Sequence, residues 1–118
     1  LVAKTGFRSD QYSVLILKDL QLVFVFNNRD SWKTAQQRLS KENWEHVVVT
    51  GTSRQSARVF FNGKEDRNSP FPTAHGFDDN PFPLTFGSAP PERAPGNDFL
   101  EGILDDVWFF NRALTPEE

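Results

Sequence analysis

The sequence predicts an all-β domain, an antiparallel two-sheet jelly-roll sandwich. Three observations predict it. Short apolar runs alternate with polar, Gly- or Pro-bearing turns, the pattern of many short strands. Phenylalanine is abundant, 12 residues beside 3 Trp and 1 Tyr, and aromatic side chains suit a pleated, half-buried surface. No segment carries a sustained helical repeat of apolar residues.

Taken in order, residues 11–18 read QYSVLILK. Apolar residues fall on both parities, so this strand is expected to be covered on both sides. Asp19 and Leu20 make a short turn into residues 21–27, QLVFVFN, and a connection that short implies an antiparallel pair. Residues 27–30 form a second polar turn. Residues 31–39 are more polar and suit an edge strand or a wet face. After a loop at 41–43, residues 44–50 (WEHVVVT) form a strand that begins with Trp44. Residues 57–61 (ARVFF) form the next, and Asn62-Gly63 follows directly. Asn-Gly signals a type I′ hairpin, because that turn needs φ > 0 at both central residues.

Residues 65–83 carry four prolines, Pro70, Pro72, Pro81 and Pro83. About 18 residues without periodicity is long for a loop in a compact domain. The stretch is expected to be a functional loop or to hide a short strand. Residues 84–87 (LTFG) read as a short strand and residues 88–98 as a Pro/Gly loop. Residues 99–110 (FLEGILDDVWFF) read as the last long strand, and residues 113–118 as a tail with one helical turn.

The chain of 118 residues suits one domain, residues 1–118, large enough to bury a core without staples. It has no cysteine, which removes disulfides, thiolate zinc sites and cysteine catalysis together. The net charge is −3 and no basic stripe stands out, so a nucleic-acid partner is not expected. No apolar run approaches the roughly 20 residues that span a bilayer, so membrane insertion is not expected. The first residues lack the layout of a signal peptide, and the chain contains no Met.

Four segments carry a resemblance. Residues 44–50 are similar to a Trp-x-His-Val-Ala strand. Residues 59–64 (VFFNGK) are similar to a strand followed by an Asn-Gly turn. Residues 84–87 match a short strand between motifs. Residues 102–118 (GILDDVWFFNRALTPEE) resemble a C-terminal signature of Gly, an apolar pair, Asp, a second acid, an alternating strand and Asn-Arg-Ala-Leu-Ser/Thr. Together these resemble the laminin-G-like group of the concanavalin A-like lectin/glucanase superfold. The resemblance implies a jelly roll that recognises glycans or extracellular proteins, and with it a secreted or cell-surface location. It also implies one or two strands before the segment at residues 1–4, pairing with the C-terminal strand. Their absence leaves an open edge, an aggregation hazard. We therefore expect a domain that is part of a longer chain, a homo-oligomer, or a partner chain over that edge.

Asp105 and Asp106 are the sharpest candidate residues. An acidic pair inside an apolar strand puts at least one carboxylate towards the interior, where it must be paired, hydrogen-bonded or on a metal. The resemblance places Asp105 where the family helps hold a structural calcium, whose six to eight oxygen ligands one residue cannot supply. The other reading of Asp105 is a carboxylate that caps loop N–H groups. Asp78, Asp79 and Asn80 form a second oxygen-rich cluster, either a calcium site or a set of Asx turns.

Strand alternation puts Leu104, Asp106, Trp108 and Phe110 on one face of residues 99–110. A carboxylate beside aromatics is what a sugar-stacking surface needs, with Trp108 and Asp106 as carbohydrate-binding residues and Trp32 as a further stacking ring. The competing reading is a face covered by a loop or a subunit. Trp44 reads as core packing. Retaining glycosidases need two carboxylates roughly 5 Å apart, on one strand face an alternating pair. Asp105 is flanked at those positions by Ile103 and Val107, so no catalytic role is expected. The sequence thus predicts a non-catalytic, lectin-like recognition module that binds carbohydrate. The alternative is a protein-interaction domain whose aromatic face is an oligomer interface.

Overall fold

The computed structural model describes residues 2–6, 9–17, 19–27, 29–76, 81–88 and 99–118. Among them every regular element is a strand: β1 (Val2–Gly6), β2 (Ser9–Ile16), β3 (Gln21–Phe26), β4 (Asp30–Arg38), β5 (Val47–Thr52), β6 (Ser56–Phe61), β7 (Lys64–Glu65), β8 (Phe71–Pro72) and β9 (Leu84–Phe86). They form two antiparallel sheets. The first runs β4-β3-β2-β1-β9; the second runs β5-β6-β7, with β8 also on β6. The all-β sandwich is therefore observed.

The first sheet is built by local connections. Leu20, at φ 65°, closes the β2–β3 turn, and Leu17 donates its N–H to the Gln21 carbonyl at 2.9 Å. Asn27, at φ 51°, opens the β3–β4 turn. Register between β3 and β4 shifts at Gln21/Val23, where β4 carries extra residues. Thr34 repairs the ladder there: its Oγ1 accepts the Leu22 N–H at 3.2 Å, and its carbonyl accepts Gln21 Nε2 at 3.0 Å. In the second sheet, Asn62 and Gly63 turn the β6–β7 hairpin at φ 49° and 78°, as a type I′ turn requires. The Asn62 carboxamide also accepts the His46 N–H at 2.9 Å, holding the approach to β5 beside the turn.

The core lies between the sheets. Leu22, Phe24 and Phe26 of β3 face Ala57, Val59 and Phe61 of β6, all buried. Period-2 alternation on both strands produces this apposition. Phe71 of β8 joins the layers: its ring stacks on Phe24 at 6.4 Å and on Trp32 at 5.7 Å. The irregular stretch at 65–83 thus hides a short strand, β8, that supplies a central core ring. Two hydrogen bonds hold the chain leading into it, Asp66 N–H to the Val59 carbonyl at 2.8 Å and Val59 N–H to Ser69 Oγ at 3.1 Å.

Two expectations need correction. Residues 99–110 do not form a strand: Phe99 makes one isolated bridge to Ser88, and residues 101–110 lie outside both sheets. Asp106 sits at φ 49°, in the left-handed region that breaks a strand's alternation. Trp32 is on the core side of β4, between the buried Asp30 and Thr34. One face of its ring is covered by Phe71, and its indole N–H is buried with no partner among the described residues, so it offers no open stacking platform.

Candidate functional site

The conspicuous surface of the protein is the C-terminal segment. It is pinned at both ends. Leu100 donates its N–H to the Gly87 carbonyl at 2.6 Å, beside the first sheet. Leu114 is held on β5, where Thr50 Oγ1 accepts the Leu114 N–H at 2.7 Å and donates to the Leu114 carbonyl at 3.2 Å. The span between these anchors stands in solvent. Ile103 is 77% exposed and Trp108 75%, while Val107, Phe109 and Phe110 are about half exposed. Phe109 touches the body edge-on through Phe86, ring centres 5.9 Å apart.

Asp105 and Asp106 are both exposed, which corrects the expectation that one points inward. The reason is the missing ladder: with no sheet over residues 101–110, neither parity has an interior to face. Asp105 Oδ1 accepts the Asp106 N–H at 2.9 Å, the capping role rather than a buried charge. Arg112 stands close in sequence but is committed to Glu118 through both guanidinium nitrogens. That fork holds the Glu118 carboxyl down at about 2. No ion pair to Asp105 or Asp106 occurs among the described residues. Trp108 and Asp106 are both exposed, and Trp32 is packed against the core instead. Trp44, read from the sequence as core, is 69% exposed.

The family model Laminin_G_3, described as the concanavalin A-like lectin/glucanases superfamily, matches residues 1–118. The chain belongs to this family. No curated protein and no solved structure matches the chain. Membership agrees with the two antiparallel sheets, and it supports a lectin-like or binding domain in general terms.

In this concanavalin A-like domain a second polar cluster sits where three turns meet, and nothing local in the sequence announces it. Asp30, at the start of β4, is buried and accepts two bonds from His75. The His75 N–H reaches Oδ2 at 3.1 Å, and its Nδ1 lies 2.9 Å from Oδ1. Burial pushes the Asp30 carboxyl up. The two His75 bonds and the charges of His75 and Arg29 outweigh it and leave the group below its ordinary value. Asn27 Nδ2 donates to the carbonyls of His75 and Gly76, at 3.1 and 2.8 Å. Gly76, at φ 73°, lies so close to Ser53 and Arg54 that a Cβ would sit 2.8 Å from Ser53 Oγ. Thr73 completes the clasp, its N–H on the Gln55 carbonyl and its Oγ1 on that of Thr52. One four-residue segment thus ties the β3–β4 turn of the first sheet to the β5–β6 turn of the second.

Of the residues expected to hold calcium, Asp105, Asp78 and Asp79, only Asp105 is among the described residues. Among the described residues no group of three or more His, Cys, Asp or Glu side chains could hold a metal ion. Asp105 Oδ1 accepts its neighbour's N–H, and the six to eight oxygen ligands that calcium takes would have to come largely from elsewhere. Asp78 and Asp79 lie outside the described residues.

Proposed function

We propose that this domain is a non-catalytic recognition module whose contact surface is the segment at residues 99–110, and that its ligand is protein. The exposure of that segment between its two anchors carries the reading. A run of large apolar side chains held in water from Phe99 to Phe110 is an interaction surface, since monomeric soluble proteins rarely leave such patches open. Aromatic side chains are the anchors that most often dominate binding energy at interfaces. The same reading carries a secreted or cell-surface location, where lectin-like modules meet glycans and extracellular proteins.

The spacing of the acidic pair supports the non-catalytic reading. Glycoside hydrolysis needs two carboxyl groups flanking one bond, about 5 Å apart in retaining enzymes. Asp105 and Asp106 are chain neighbours, and one of them caps the other's N–H.

One observation favours a second reading. Trp108 is 75% exposed and lies two residues from the exposed carboxylate of Asp106, which has no ion pair among the described residues, a ring and an acceptor that suit a sugar. Glycan binding by wild-type chain and by Trp108→Ala and Trp32→Ala variants decides between them. The protein reading predicts no oligosaccharide binding by any of the three. Binding that Trp108→Ala abolishes and a folded Trp32→Ala retains replaces it with the glycan reading.

A further inference from the structure

We propose that Asn62 is a site of spontaneous deamidation, and that Glu45 and the His46 backbone set its rate by holding the Asn62 carboxamide away from its own main chain.

The reactive pair lies at the tip of the β6–β7 hairpin. Asn62 and Gly63 are both exposed and both at positive φ, 49° and 78°. In deamidation the main-chain nitrogen of the following residue attacks the side-chain carbonyl carbon, and a following glycine obstructs that attack least. Even an added Cβ at Gly63 would meet nothing within 4 Å, so this side of the turn is open space. The Gly63 nitrogen gives up its proton and bonds to Asn62 Cγ. The Cγ–Nδ2 bond breaks, and ammonia leaves with that proton. Water then opens the cyclic imide at either carbonyl, giving aspartate or an isoaspartyl linkage.

The folded chain opposes the first step in two ways. Both ends of the carboxamide are committed: Oδ1 accepts the His46 N–H at 2.9 Å, and Nδ2 donates to Glu45 Oε2. Turning Cγ onto the Gly63 nitrogen breaks both bonds, and the one to Glu45 is charge-assisted, the stronger kind. Closing the ring also needs a main-chain rotation at Asn62. The Asn62 N–H on the His46 carbonyl at 2.8 Å and the pairing of Phe61 with Lys64 resist it.

Either product disturbs the same place. Aspartate replaces the donor that faces Glu45 with a second carboxylate oxygen, and two carboxylates at hydrogen-bond distance repel. The isoaspartyl linkage adds a methylene to the main chain inside a two-residue turn that sets the register of Phe61, a fully buried core ring.

The test is peptide mapping by mass spectrometry on the whole chain held at neutral and mildly alkaline pH, following conversion of amide to acid at Asn62. Folded wild type is compared with folded Glu45→Ala and with wild type in urea, circular dichroism identifying the folded samples. Conversion should rise with pH, be slowest in folded wild type and be fastest in urea. In Glu45→Ala it should be faster than in folded wild type by about threefold or more, the order that losing one hydrogen bond sets. A folded Glu45→Ala chain that converts at the wild-type rate overturns the proposal. Should that variant not fold, the wild-type comparison carries the test, and equal rates with and without urea overturn it. An Asn62 that stays intact in urea while other asparagines convert overturns it as well. Asn62→Asp, the aspartyl product, should melt below wild type, and an unchanged Tm would contradict the predicted repulsion from Glu45.

Discussion

Asp30 and His75 stand 45 residues apart in sequence and share two hydrogen bonds, His75 N–H to Oδ2 at 3.1 Å and Nδ1 to Oδ1 at 2.9 Å. One belongs to the five-stranded sheet and the other follows β8 of the second sheet. A single buried carboxylate therefore helps to hold the two layers together at one end of the sandwich.

This pair predicts an acid-labile term in stability. The Asp30 carboxyl titrates below its ordinary value in the folded protein. A depressed carboxyl contributes stability that is full above the unfolded value and is lost as pH falls through the folded one. Chemical denaturation as a function of pH should show stability level near neutrality and declining on acidification through the carboxylate range. Asp30→Asn should cost about 2 kcal/mol at neutral pH, the order of a hydrogen bond to a charged group, and should flatten the acid limb. Unchanged pH dependence in that variant would show that the pair contributes nothing.

Phe71 predicts a larger effect. It is 1% exposed and stacks against both Phe24 and Trp32, so truncation opens a cavity between the sheets. Phe71→Ala should lose about 3–5 kcal/mol, as buried Phe-to-Ala changes do, measured by urea denaturation. A loss below about 1 kcal/mol would mean that the ring is not in the core.

These two features show where sequence reading reaches and where it stops. Asn62-Gly63 was legible because the signal is local: two adjacent residues must both take positive φ. The strands β3 and β6 were legible because their alternation meets a facing layer. Phe71 was not, because a two-residue strand has no period to detect. Asp30 and His75 were not, because only the fold brings them together. Trp32 misled because its strand looks polar: two of the residues flanking it on the core face, Asp30 and Thr34, are buried polar groups with internal partners. Residues 99–110 misled in the opposite sense. Their alternation describes what the segment would do beside a neighbouring strand, and among the described residues none pairs with residues 101–110.

The cap at Asp105 predicts an absence of metal linkage at that residue. Its Oδ1 accepts the Asp106 N–H, a role indifferent to calcium. Asp105→Asn should shift Tm by the same small amount with calcium and with chelator. A shift seen only with calcium would assign Asp105 to a metal site, because a ligand bound to the native state raises apparent stability.

Residues 101–110 stand outside both sheets. Amide hydrogen exchange on the dilute chain reads this out, because ladder amides exchange only by local or global opening. Rapid exchange is expected from Ile103 to Phe110 alongside strong protection at Leu22, Phe24 and Val59. Protection at residues 103–110 matching that of β3, in a chain shown to be monomeric, would mean that the segment is a sheet strand and not an open surface.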